Sequence, residues 1–257
     1  MIKPILFLTI FLHPILSFSA CESSFINKVR YELGYLEELN ENYNLVACKP
    51  LPNSPNQIIV AIARRQEGTE IDDSETMGDY NLDISLVNGK TGKTIIHKFI
   101  KQRFTWDGTR FGGIEIDTAN YTVSSGLRAF GIRATYHTGG FTSDQTLSLF
   151  AVNGKEINEV LSDAVMYIFF ENKFSSCLNE TRVSTRTVSV DTKKENGFYN
   201  LLVTEVLVDS HEESDREKIG ECVWKIDNNE IKNYTLHFNG KKYVVPNEMK
   251  EFDCHIC

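Results

Sequence analysis

None of the short motifs that announce hydrolytic, zinc-dependent or nucleotide-dependent chemistry occurs in these 257 residues. A GxSxG nucleophile elbow and an HExxH pair are both absent, which removes the commonest serine-hydrolase and zinc-protease arrangements. GxxxxGK followed by Ser or Thr is missing too, so the glycines of residues 104–113 bend an aromatic-rich loop rather than cradle a phosphate. There is no DxDxDG motif, and Ile71-Asp72-Asp73-Ser74-Glu75 does not match an EF-hand loop. His97, His137, His211, His237 and His255 stand singly, without a spaced ligand or base partner. Basic side chains are in the minority, 27 Lys and Arg against 35 Asp and Glu. A chain of that sign offers no patch to displace counterions from phosphates, so nucleic acid is not an expected partner. Past the N-terminus no apolar run reaches the roughly 20 residues that a membrane-crossing helix needs, so no transmembrane span is expected.

What is present begins with a leader. Lys3 is its only charge, Ile5 to Leu16 form an apolar run, and small residues follow at Ser17, Ser19 and Ala20. That order is the pattern of a signal peptide, residues 1–20. Its removal takes away one cation and leaves 27 − 1 = 26 basic against 35 acidic side chains, a balance of −9. Ser17-Phe18-Ser19 fits the small-x-small rule for ordinary cleavage. Phe18-Ser19-Ala20-Cys21 is an imperfect lipoprotein box, and lipidation of Cys21 would anchor the protein. A lipidated Cys21 leaves an odd number of cysteines, so the soluble periplasmic or secreted form is the expectation and the lipoprotein the alternative.

In an oxidising compartment six cysteines read first as disulfides. Cys21 and Cys48 bracket the N-terminal segment, residues 21–49, and are expected partners; Cys177 and Cys222 are the next pair. Cys254 and Cys257 close the sequence as Cys-His-Ile-Cys, read as a local disulfide. A redox or metal role for this pair would need a helix N-terminus or further ligands, and the sequence shows neither.

Phe25, Ile26, Val29, Leu33 and Leu36 recur at helical spacing from Ser23 to Glu38, with Ser23 or Ser24 as N-cap. One amphipathic helix is expected there, lidding a β core. Pro50, Pro52 and Pro55 mark a connector, and a β-rich body, residues 50–257, follows. Within it one order of elements recurs: a strand, a polar loop, a second strand, a tight turn and a third run. The copies span about 56–101, 114–162 and 183–246, with turns at Asn88-Gly89, Asn153-Gly154 and Asp227-Asn228-Asn229. Leu82, Ile84 and Leu86 alternate with Asn81, Asp83 and Ser85, the period of a strand with one wet face, and Ala164 to Phe170 reads as a buried strand. The fold class is therefore all-β with one N-terminal helix: three repeated antiparallel meanders, propeller-like or a sandwich or open barrel.

The polar loops after the first strand of each copy, residues 65–79, 137–144 and 209–219, are expected at one rim. The first carries Glu67, Glu70, Asp72, Asp73, Glu75 and Asp79; the third carries Asp209, Glu212, Glu213, Asp215 and Glu217. Clustered carboxylates present a negative face to a basic protein or hold a divalent cation, and they also serve merely to keep a surface solvated.

The stretches Tyr80-Asn81-Leu82-Asp83-Ile84-Ser85-Leu86-Val87, Leu127-Arg128-Ala129-Phe130-Gly131-Ile132-Arg133 and Phe198-Tyr199-Asn200-Leu201-Leu202-Val203-Thr204-Glu205 resemble those of uncharacterised exported β-rich proteins of Gram-negative bacteria. The last is also similar to blades of the FG-GAP type, from which this chain departs by lacking the calcium motif. The resemblance covers most of the mature chain and implies no activity or site. The expected function is an exported, non-enzymatic binding protein, an inhibitor or immunity-type factor whose acidic loops meet a basic protein or an envelope component. A periplasmic hydrolase with an unrecognised carboxylate site, or a calcium-stabilised structural module, is the alternative. No cofactor and no catalytic residue are assigned.

Overall fold

The computed structural model describes residues 22–35, 44–66, 78–105, 110–139, 142–173, 177–215 and 220–250. Among these residues one α-helix, α1 (Ser23–Glu32), precedes eleven strands: β1 (Asn44–Leu51), β2 (Ser54–Arg65), β3 (Tyr80–Asn88), β4 (Thr94–Phe104), β5 (Arg110–Ser124), β6 (Leu127–Thr138), β7 (Thr142–Asn153), β8 (Glu156–Asn172), β9 (Glu180–Glu195), β10 (Phe198–Ser214) and β11 (Cys222–Leu236), with a short 3-10 turn at Asn247–Met249 after them. The strands form two antiparallel sheets, β1-β2-β3-β4 and β5-β6-β7-β8-β9-β10-β11, each a simple meander. The expected all-β fold with one N-terminal helix is therefore present. β5 and β11 end the larger sheet without pairing to each other, so it is not a closed barrel.

The helix is shorter than its apolar spacing suggests because Gly34 turns it off. Gly34 has φ +81°, and its N–H donates to the Tyr31 carbonyl while that of Tyr35 donates to Arg30. This paired arrangement satisfies the last carbonyls of a helix and needs a residue that tolerates the left-handed region. At the other end Glu22, not Ser23 or Ser24, occupies the N-cap, and no side chain caps it.

Alternation within the strands separates three apolar clusters. Ile26 and Val29 of α1 lie on Val60, Ile62 and Val87, the outer face of the four-stranded sheet. Its inner face, with Ile59, Leu82, Ile84 and Leu86, meets Phe111, Ile116, Phe130, Ile132 and Phe150 of the larger sheet. The opposite face of β6–β8, with Ala129, Leu147, Leu149 and Leu161, packs with Leu201, Val203, Leu236, Phe238, Tyr243 and Met249. The larger sheet thus curls so that β10 returns over its own earlier strands. Ser124 Oγ donates to the Gly197 carbonyl at 2.8 Å and Lys194 Nζ to Ser125 Oγ at 2.8 Å, joining two turns across the curl. Gly131 sits in this doubly covered region, where a Cβ would lie 2.6 Å from Leu147 Cδ1.

Two of the three expected turns are turns. Gly154 (φ +62°) closes the β7–β8 hairpin, and Asn88 Oδ1 accepts the N–H groups of Lys90 and Thr91 at 3.0 Å in the β3–β4 loop. Asp227-Asn228-Asn229 instead lies inside β11. The next asparagine-glycine turn is Asn196-Gly197, between β9 and β10, with φ +48° and +83°. The segments read as second and third copies share one continuous sheet. Ala164–Phe170 is the middle of the 17-residue β8, where Ala164, Val165, Met166 and Ile168 are buried.

Candidate functional site

β9, β10 and β11 are longer than the core they cover. Near the β9–β10 turn, Val188, Val190, Leu201 and Val203 face the C-terminal segment. Two-residue alternation continues those rows as Arg186, Ser184, Arg182 and Glu180 on β9, and as Glu205, Leu207, Asp209, His211 and Glu213 on β10. Apolar side chains give way to charged ones, and the sheet runs on into solvent as an arm.

The changeover is marked by an ion pair. Arg186 and Glu205 are 6% and 4% exposed. Glu205 Oε1 accepts from Ser184 Oγ at 2.6 Å and Arg186 Nε at 3.0 Å, and Oε2 accepts from Tyr234 at 2.7 Å. Arg186 also donates to the Val165 and Glu248 carbonyls. Burial pushes the Glu205 carboxyl up, but these donors outweigh it and hold it below the ordinary carboxylate range. Both its oxygens are held by donors from β9 and β11, so this pair is structural.

Beyond it the side chains pair across strands in the open. Arg182 clamps Asp209 with two bonds, Nε to Oδ1 at 2.6 Å and Nη2 to Oδ2 at 3.3 Å, and this fork holds the Asp209 carboxyl below its usual range. Thr181 and Ser210 share a hydroxyl bond of 2.7 Å. Opposite the Asp209–Ser210 step β11 carries one residue more than β10, because Asp209 faces Asn228 and Ser210 faces Ile226. The extra residue is Asp227. Such a bulge re-aims a side chain, and Asp227 Oδ1 lies 2.7 Å from His211 Nδ1. That bond raises the His211 imidazole above its ordinary value. Glu213 pairs with Lys225 and lies 3.7 Å from His211 Nε2. A cavity of about 210 Å³ opens here, lined by Phe170, Glu180, Thr181, Arg182, Asp209, Ser210 and Asp227. The Cys177–Cys222 disulfide, with Cα atoms 5.2 Å apart, ties the ends of the strands together at the tip, as the sequence predicted.

Of the acidic residues read as loop, the structure places Asp209, Glu212 and Glu213 on β10, each with a cross-strand partner. For Glu212 the partner is Asn179 Nδ2 at 2.8 Å. Asp215 follows the strand and its N–H donates to the Glu221 carbonyl. Asp79 lies far along the chain and accepts from Gln102 Nε2 at 3.1 Å. Glu67, Glu70, Asp72, Asp73, Glu75 and Glu217 lie outside the described residues, as do Cys21, Cys254 and Cys257; Cys48 is disulfide-bonded. Phe170, Glu180, Thr181, Arg182, Ser210 and Asp227 complete the cavity, and none of them was singled out in the sequence as a site residue. The signal available was charge complementarity between Glu180-x-Arg182 and Asp209-x-His211 on neighbouring antiparallel strands.

Two other polar clusters sit inside the body. Asp83, 1% exposed, accepts from Tyr35 and Arg64 at 2.8 Å and lies 2.8 Å from His97 Nε2, so His97 does have a carboxylate partner. Burial raises the Asp83 carboxyl, and the bonds from His97, Arg64 and Tyr35 more than reverse it; Tyr35 is pushed up to about 12 by burial and by Asp83. Arg103 Nη2 of β4 bridges Ser148 of β7 and Glu159 and Asp163 of β8 at 2.6 to 2.8 Å. Burial pushes Glu159 up, against the pull of Arg103. One guanidinium fills the space between these two carboxylates. Among the described residues no three His, Cys, Asp or Glu gather to hold a metal ion, and no helix is long and apolar enough to cross a membrane. No protein family, curated protein or solved structure matches the chain.

Proposed function

We propose that this is an exported, non-enzymatic binding protein whose β9–β11 arm receives a basic side chain from a protein partner. The observation that supports it is the cavity itself: Glu180, Asp209 and Asp227 bring three carboxylates to one opening against the single guanidinium of Arg182, which forks on Asp209, and Phe170 supplies an aromatic wall. A guanidinium suits that combination, because it stacks on a ring and donates to carboxylates at its edge. Nucleophilic catalysis is not favoured at this site, since Ser210 and His211 are successive residues of a strand and project from opposite faces. A disulfide at the tip suits an oxidising compartment.

The test is retention of arginine-rich peptide, and of basic proteins from a periplasmic extract, on the immobilised full chain. Binding is expected at low salt and release at about 0.5 M, where screening collapses to a few ångströms. Glu180→Lys with Asp227→Lys is expected to abolish retention. Salt-insensitive binding, or binding that survives the double reversal, would sink the proposal.

A further inference from the structure

Among the described residues β11 pairs with β10 on one side only and is the last strand of its sheet. Its central residues are exposed, with Trp224 at 48%, Ile226 at 69% and Ile231 at 65%. A long bare edge with apolar side chains is a template for another strand. We infer that the strand it takes is β11 of a second copy of this chain, antiparallel about a two-fold axis at Asn228.

The bulge decides which residues of β11 share a side of the sheet. Facing residues of β10 and β11 share a side of the sheet. Lys225 faces His211, Asn228 faces Asp209, Glu230 faces Leu207 and Lys232 faces Glu205, so these four lie on the side that carries the buried Leu201 and Val203. Trp224, Ile226, Asn229 and Ile231 lie on the other side, opposite Glu212, Ser210, Val208 and Val206. Asp227 is the extra residue. Counting only the rungs, a two-fold axis at Asn228 sets Lys225 against Glu230 of the partner copy, Trp224 against its Ile231, and Ile226 against its Asn229. Symmetry makes each of these pairs twice.

Other registers fail by charge or by side. A slip of one rung puts every inner residue opposite an outer one. A slip of two rungs one way sets Lys225 against Lys232, and the other way, although it sets Ile226 against its own copy, leaves both charges without an opposite, Lys225 against Asn228 and Glu230 against Val223. Only the register at Asn228 extends the pairing already present in each copy. Glu213 holds Lys225, and Lys232 holds Glu230 at 3.3 Å, so the dimer carries a row alternating in sign: Glu213, Lys225, then Glu230 and Lys232 of the second copy. The bulge that would discourage indiscriminate edge pairing thereby selects one register. The two-fold operator makes the contact closed and self-complementary, as most homodimers require. This interface uses the edge of the arm, whereas the cavity opens on its face, and it does not rest on the proposed binding function.

Sedimentation velocity of the full chain across a concentration series tests it. A reversible dimer is expected. Lys225→Glu alone and Glu230→Lys alone each place two like charges across the axis and should weaken dimerisation by roughly ten-fold or more. An equimolar mixture of these two variants restores both opposite-charge pairs and should form the heterodimer with near wild-type affinity, which a folding defect could not produce. Asn228→Cys should give a disulfide-linked dimer on mild oxidation, because directly opposed Cα atoms lie within bridging range, while Lys232→Cys should not. A monomer at all concentrations, no recovery in the mixture, or equal cross-linking at both positions would overturn the inference.

Discussion

Strands β5–β8 and the outer halves of β9–β11 share one hairpin geometry and differ in what covers them. Leu147, Leu149 and Phe150 are fully buried on successive sides of β7, because the four-stranded sheet lies on one face and the returning β10 with the C-terminal segment on the other. On the outer halves of β9 and β10 the same kind of strand is only half-buried and is held by cross-strand ion pairs and hydroxyl bonds. Coverage rather than strand propensity therefore decides where stability resides and where polar chemistry can be displayed.

The contrast is broken most sharply by truncation. Phe150→Ala should cost about 3–5 kcal/mol, the range for emptying a packed aromatic site, whereas Ile226→Ala on the arm should change stability by no more than about 0.5 kcal/mol. Denaturant midpoints at constant slope measure both. If the two changes cost the same, the division between core and arm is wrong. Next in size is the disulfide: Cys177→Ser with Cys222→Ser should remove about 2–4 kcal/mol. Amide exchange should quicken most at Asp209–Glu213, where local opening adds to the loss, and at Leu147–Ala151 by no more than the fall in global stability, because the bridge ties the strand ends at the tip.

The smallest effects are pH dependences of opposite sign. Asp83 in the body has its carboxyl held below the usual range. Its contribution is thus complete above the unfolded value of 3.8 and disappears as pH falls through the folded value. Asp83→Asn should cost about 1–3 kcal/mol near neutrality, and the gap to wild type should close in acid. His211 on the arm is raised instead. Its contribution is complete below the unfolded 6.5 and fades as pH rises through the folded value. An NMR titration should find the His211 midpoint above 6.5, and Asp227→Asn should lower it, leaving the pull of Glu213; a midpoint unmoved by that change would show that the bulge does not aim Asp227 at the ring.

These differences also explain which features could be read in the chain. The apolar row of Leu82, Ile84 and Leu86, the Asn153-Gly154 turn, and the pairing of Cys177 with Cys222 depend on local pattern or on position and were legible, but the face of that strand read as wet is not wet, since Asp83 and Ser85 are each 1% exposed beneath α1 and its neighbours. Asp209, Glu212 and Glu213 read as loop because the outer end of β10 has no apolar row to betray it. Asp227-Asn228-Asn229 read as a turn because bulges and turns draw on the same residues, and only the register with β10 distinguishes them. Asp83 and His97 meet through pairing of β3 with β4, a relation that single positions do not announce.

The bridge between Cys177 and Cys222 encloses β9 and β10 entirely. A protease that nicks the backbone anywhere inside that circle releases no fragment. The two pieces would part on a gel only after reduction, and until then hydrogen bonds to β8 and β11 would keep the cut ends in register, which is a useful form of resilience for a limb standing clear of its own core.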